Sequence, residues 1–402
     1  MRTLRSARSA RVAWPLVAAF LVLPAAHAQV VPNESRVTSQ RDLLDPEYSQ
    51  ARAEMTWVDK TGSLWVANVD PDTGLFVPSN GKGTLVDADA MTSGDLRLIH
   101  NCPEWVGTAF GDQIVYTKFV TGQPHTPGNA RLAFAFFPSS SGGWALRTLS
   151  PNLARSAPYA SLNEGDPNPT ISYVDAPGNH YWRNLYDAAS ETPVPLYPRS
   201  HVFALRIAQG VRAAAYVAPV AGVQQVFINW FDTGVTEQVT FDDSQKDLHS
   251  RPFIWQAPEY GGDLVLETVA DDTELRIYHL PAGGSNTDWE LVDAVSTPDN
   301  GVINSPEHFV YNGQSYIFFA ANVPPLDYPS AIFLTGIDAA HPSLQQLTPN
   351  QPERSRTDPE VFIANDGPYI YYNRGTDPPG QRPCYTCNEG IFRTRTGLPT
   401  AQ

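Results

Sequence analysis

PEHFVYNGQSYIFFAAN (Pro306–Asn322) is a Pro-Glu pair, a short apolar strand, a glycine turn and a second strand rich in aromatic and branched residues. The same unit occurs as PEWVGTAFGDQIVYTKF from Pro103 and as PEVFIANDGPYIYYNR from Pro359. Weaker copies start at Ala257 (APEYGGDLVLETV), His201 (HVFALRIAQGVRAAAYVAP), Asp166 (DPNPTISYVDAPGNHYWRNL) and Met55 (MTWVDKTGSLWVANVD). Their turn glycines, Gly62, Gly111, Gly178, Gly210, Gly262, Gly313 and Gly367, are separated by 49, 67, 32, 52, 51 and 54 residues. A period near fifty suits a supersecondary unit of four short strands and their turns.

Later strands of each unit are expected at Arg131–Phe137, Gln224–Asp232, Thr273–Leu280 and Ala331–Ile337. Outer strands are expected at Trp144–Ser150, Glu237–Phe241 and Trp289–Val295. These runs alternate apolar and polar residues between Gly, Pro, Asn and Asp, and no stretch of the mature chain keeps a 3.6-residue period. The expected fold is all-β: a β-propeller of seven four-stranded blades, because radial packing buries both faces of each blade. Six blades is the alternative, should the Asp166 and His201 units share one. The last unit has three strands of its own, ending at Gly390–Thr396, so a strand from the N-terminal region is expected to close the ring.

The chain has 402 residues, with 27 Lys+Arg against 42 Asp+Glu and a net charge of −15. Such an acidic surface repels phosphate backbones and anionic headgroups, which argues against nucleic acid as a partner. Arg2, Arg5, Arg8 and Arg11 precede the apolar run Leu16–Leu23, and Ala26-His27-Ala28 is a small-x-small cleavage site. This reads as a signal peptide over residues 1–28, leaving a secreted or periplasmic protein with no membrane span. Its removal takes four arginines and no acids, moving the charge from −15 to −19. Residues 29–50 read as a polar tail and 51–402 as one propeller domain. Of the cysteines, Cys384 and Cys387 are placed to close a small disulfide loop, with Cys102 left odd.

The Pro-Glu, strand, glycine, aromatic-strand units resemble the extracytoplasmic propellers called TolB-like. WQAPEYGGDLVLET and SPEHFVYNGQSYIFF are similar to blade openings of secreted propeller glycosidases. Seven-bladed propellers also include polysaccharide lyases, so the resemblance implies an architecture that hosts several activities.

In a propeller the loop before each innermost strand opens at the channel mouth, and that is where candidate residues are sought. They are His100, Glu104, Asp166, Arg199, His201, His249, Arg251, Glu259, Asn304, Glu307, His308, Arg356, Asp358 and Glu360. Titratable groups converging there would shift one another's pKa as acid–base catalysis requires. A Pro-Glu repeated in many blades also suits turn capping, so His249 and Arg251 of KDLHSRP and Arg199-Ser200-His201, which break the repeat, are the sharper candidates. One chemistry is proton removal beside a uronate, with Arg neutralising the carboxylate and a neutral His, such as His249 or His201, or a Tyr taking the proton; Tyr181 of HYWRNL is a candidate acid that also suits blade packing. The other is glycoside hydrolysis between two carboxylates such as Asp166 and Glu307 or Asp358. Both name a polysaccharide or oligosaccharide as substrate. A non-catalytic propeller holding a protein or glycan at the same mouth is the rival. No cofactor is required; a ring of Asp, Glu and Asn oxygens would suit a structural calcium ion, with no ligand set assigned. Asp70 and Asp72 of Val69–Gly74 read as a hairpin turn. No phosphate-binding glycine loop, HExxH or G-x-S-x-G is present.

Overall fold

A strand buried on both faces reads as a continuous apolar run, and one buried on a single face alternates. That gradient runs through every sheet of the protein, whose structure is a computed structural model. It describes residues 32–90, 103–160, 169–193, 202–241, 248–376 and 388–400, apart from gaps at 125, 139–141, 150–151, 153, 209–210, 231–232, 286, 327, 339–342 and 352. Seven four-stranded antiparallel sheets form, with no α-helix among the described residues.

The first strands are Leu43–Ser49, Glu104–Val106, Arg155–Tyr159, Val202–Ala208, Leu248–Ala257, Ile303–Tyr311 and Arg354–Ala364, one for each of blades 1 to 7. First strands of neighbouring blades touch, as in blades 1 and 2, 4 and 5, 5 and 6, 6 and 7, and 7 and 1, so they form the inner ring. Second strands such as Gln314–Asn322 are buried almost throughout, whereas fourth strands such as Ala145–Thr148 are exposed. Hydrophobic clusters lie between blades. Leu44, Val58 and Val66 of blade 1 pack on Trp105, Ile114 and Tyr116 of blade 2. Trp57 and Met55 pack on Phe362 and Tyr371 of blade 7.

The Asp166 and His201 units belong to separate blades. Their short spacing arises because Gly178 turns between the second and third strands of blade 3 (Thr170–Asp175 and His180–Asn184). Gly210 falls between the first and second strands of blade 4 (Val202–Ala208 and Val211–Val220). The glycines were one hairpin out of phase; the blades are not.

Residues 29–50, expected as a polar tail, contribute two strands. Leu43–Ser49 is the inner strand of blade 1, its apolar rhythm interrupted by Asp45-Pro46-Glu47. Ser35–Arg36 is the fourth strand of the blade 7 sheet, with Ser35 beside Arg393 and Arg36 beside Phe392. Next to it the buried Glu34 accepts hydrogen bonds from Arg356 Nε at 2.8 Å and Tyr372 Oη at 2.7 Å, and pairs with Arg374. Burial raises the Glu34 pKa, but Arg356, Tyr372 and Arg374 together outweigh it, and the net shift is downward.

A lowered carboxylate pKa contributes stability above the unfolded value and loses it as pH falls through the folded one. Glu34→Ala should therefore cost about 3 kcal/mol at pH 7, because it takes the carboxylate partner from the fully buried Arg356 guanidinium. The penalty should shrink toward pH 3. Chemical denaturation at the two pH values checks both size and trend.

Candidate functional site

The inner strands share a defect with a sequence cause. Ladder register slips between Leu44 and Glu47, Ser156 and Tyr159, Ser250 and Phe253, Asn304 and Glu307, and Thr357 and Glu360. Each slip spans an X-Pro pair, since proline has no N–H for the ladder. Residue X takes a left-handed backbone at Asp45 (φ 57°), Ala157 (49°), Ser305 (46°) and Asp358 (56°). At Asp45 and Ala157 the N–H leaves the ladder and is caught by the preceding blade. Asp45 N donates to Asn373 Oδ1 at 2.9 Å and Ala157 N to Thr117 Oγ1 at 3.0 Å. Pro46-Glu47, Pro306-Glu307 and Pro359-Glu360 thus lie within the inner strands and not in loops ahead of them.

The residue after each proline is Glu47, Glu104, Tyr159, Phe253, Glu307 or Glu360, in blades 1, 2, 3, 5, 6 and 7. Two observations turn these side chains toward the axis. Tyr159 and Phe253, with all of blade 4 between their strands, have ring centroids 6.5 Å apart. Glu47 feels the charge of Glu307 two blades away, and Glu360 that of Glu104. Only the channel brings such pairs together. Its lining is therefore divided: glutamates from blades 6, 7, 1 and 2, and aromatic rings from blades 3 and 5.

Burial first, then the charges of Glu360, Glu104, Glu307 and Asp45, push the Glu47 carboxyl well above its ordinary value. Burial, then Glu307, Asp358, Glu104 and Asp45, does the same to Glu360. Both side chains retain some contact with channel solvent, yet protein surrounds them at depth. Trp105 of blade 2 donates to the Glu47 carbonyl at 3.1 Å and so holds the backbone of this position.

Of the residues expected at the mouth, Glu104, Glu307 and Asp358 meet in this channel with Glu360. His308 stacks on Trp255 (4.1 Å, 12°) and stands edge-on to Phe253 at 6.2 Å. His249 and Arg251 lie on the blade 5 inner strand, Arg251 at the bulge before Pro252. Asn304 lies on the blade 6 inner strand, its Nδ2 donating to the Val302 carbonyl at 3.1 Å.

Three candidates sit elsewhere. Glu259 follows its inner strand and accepts from Ser315 N (2.7 Å) and Oγ (2.9 Å), bridging blades 5 and 6. Arg356 is fully buried on Glu34. Tyr181, on the third strand of blade 3, donates to Asp175 at 3.1 Å, stacks on Tyr173 and lies under the Arg155 guanidinium. Burial and Asp175 raise the Tyr181 pKa, so the phenol holds its proton, and its stacking on Tyr173 is that of a blade-packing aromatic. His100, Asp166, Arg199, His201 and all three cysteines lie outside the described residues.

Glu47, Tyr159 and Phe253 were missed as site residues. The signal for each was the proline before it, in Asp45-Pro46-Glu47, Ala157-Pro158-Tyr159 and Arg251-Pro252-Phe253. Among the described residues no three His, Cys, Asp or Glu side chains converge to hold a metal ion. Val69–Gly74 is a turn, with the Asp70 carboxylate accepting from the Asp72 and Thr73 amides at 2.9 Å each.

No protein-family model matches the chain, and no curated protein does. The β-propeller domain of Myceliophteria thermophila Cps50 (Swd1) is similar over 92% of this chain and 99% of that one, with TM-score 0.52 and 9% identity. The complex of KlAtg21 with the coiled-coil of AgAtg16 gives TM-score 0.49 and 11% identity over 85% and 96%. The protein is a seven-bladed β-propeller. At such identities the likeness is one of fold alone. Among the described residues no helix is long and apolar enough to cross a membrane.

A carboxylate with a raised folded pKa adds stability below its unfolded pKa and loses it as pH rises through the folded value. Glu47→Gln and Glu360→Gln should each raise the melting temperature by several degrees at pH 8, with little change at pH 4.5. Thermal melts across that range test the crowding; an unchanged or lower value at pH 8 would refute it.

Proposed function

We propose that this is an exported β-propeller that binds a carbohydrate in its channel and cleaves it with channel glutamates, as a glycoside hydrolase does. The observation carrying the reading is the crowding of Glu47, Glu104, Glu307 and Glu360 opposite Tyr159 and Phe253. Hydrolysis of a glycosidic bond needs one carboxyl kept protonated near neutrality and another ionised. Burial and like charge push Glu47 and Glu360 toward the protonated form that the acid of such a pair requires. Carboxylates that lower stability where they stand are also the pattern of a site shaped by chemistry.

Hydrolysis of a neutral glycan fits better than elimination from a uronate. Four glutamates would oppose an anionic sugar, and Tyr181 is held away from the inner ring by Asp175. A second reading, a propeller that holds a glycan or protein without turnover, draws support from the recurrence of one X-Pro-Glu unit in four consecutive blades.

Export rests on the arginine-flanked apolar run and Ala26-His27-Ala28. Expressed in a bacterium from the full reading frame, the mature protein should begin at Gln29, which intact mass reports directly.

A panel of neutral oligosaccharides, assayed for new reducing ends, should yield a substrate. On it Glu47→Gln and Glu360→Gln should lose about 10²–10⁴ in kcat without loss of melting temperature. Saturable binding with no product across the panel would favour the non-catalytic reading. Full activity in both variants would remove the channel glutamates from the chemistry.

A further inference from the structure

A second cavity lies on the outer half of the ring, in the cleft between blades 4 and 5. Its volume is about 440 Å³, within the range of small-molecule sites. Trp230, at the end of the third strand of blade 4 (Val223–Trp230), lines one side and also packs on the core shared by the two blades. Glu237, on the fourth strand (Val235–Gln238), accepts a hydrogen bond from Trp230 Nε1 at 2.9 Å, which places its carboxylate at the indole edge. Across the cleft Asp263 opens the second strand of blade 5 (Asp263–Ala270), with its Oδ2 3.0 Å from His279 Nε2. Leu264, Leu280 and the loop after it complete a largely apolar wall, and among the described residues none that lines the cleft is Lys, Arg or His.

An indole beside two carboxylates in a largely apolar cleft matches one ligand chemistry. An aromatic ring attracts a cation through its quadrupole, and an alkylated ammonium gives up water more easily than a bare one. An anion would meet two like charges, and a neutral polyol would find few donors. We propose that this cleft binds a small organic cation bearing a quaternary ammonium group, with Trp230 and Glu237 as the recognising pair. The site is separate from the channel and does not depend on what the channel does.

Choline is the probe, and 3,3-dimethylbutan-1-ol, the same shape without the charge, is its control. Saturation-transfer NMR on the whole mature protein at pH 8 reads contact at the methyl groups directly. Choline should saturate in the millimolar range, and the neutral alcohol should bind about 10-fold more weakly. Trp230 also packs on the core, so the diagnostic variant is Glu237→Gln, which keeps an acceptor for Trp230 Nε1 and removes only the charge. It should weaken choline about 10-fold while leaving the alcohol unchanged. Equal binding of the two probes, no saturable transfer from choline, or an unaltered choline affinity in Glu237→Gln would overturn the proposal.

Discussion

A four-stranded blade with apolar residues on both faces cannot bury them by itself, and this constraint organises the molecule. Trp57 and Trp105, both essentially without solvent contact, each sit between one blade and the next. Burying side chains of this size stabilises by roughly 2–3 kcal/mol each. Only a ring gives every blade two neighbours. Closing that ring forces the inner strands to converge, and convergence creates a channel whose lining the hydrophobic effect did not choose.

Within the channel, local covalent chemistry decides which side chains meet. Proline removes one ladder hydrogen bond from an inner strand, the preceding residue flips to a left-handed backbone, and the following residue turns to the axis. Neighbouring blades stabilise the flip, as Asn373 does for Asp45 and Thr117 for Ala157. An X-Pro step precedes a carboxylate in four inner strands and an aromatic ring in two. The channel is therefore electrostatically lopsided although its backbone is a repeat.

Two buried glutamates show how partners decide the sign of a charge effect. Glu34 and Glu47 both lose water, which by itself raises a carboxyl pKa. Around Glu34 stand Arg356, Arg374 and Tyr372, and its pKa ends low. Around Glu47 stand Glu360, Glu104, Glu307 and Asp45, and its pKa ends high. The first arrangement fastens the N-terminal segment to blade 7. The second keeps protons available in the channel, at a cost in stability.

The repeat, the all-β class and most strand positions were legible in the chain, because alternation and turn residues are local properties. Blade 7's three strands and the outer strand near Trp289–Val295 are examples. The inner strand Leu43–Ser49 was hidden, because Asp45-Pro46-Glu47 breaks the alternation that announces a strand. Blade phase was blurred where Gly62 and Gly178 turn a later hairpin than their counterparts. The role of each glutamate was not local at all. Glu259 and Glu307 both follow proline, yet one bridges two blades and the other faces the axis. Sequence determined that strands repeat and where prolines interrupt them, since those follow from neighbours along the chain. Tertiary structure decided which interrupted strands face one another, because charges and rings from blades two apart meet only after the ring has closed.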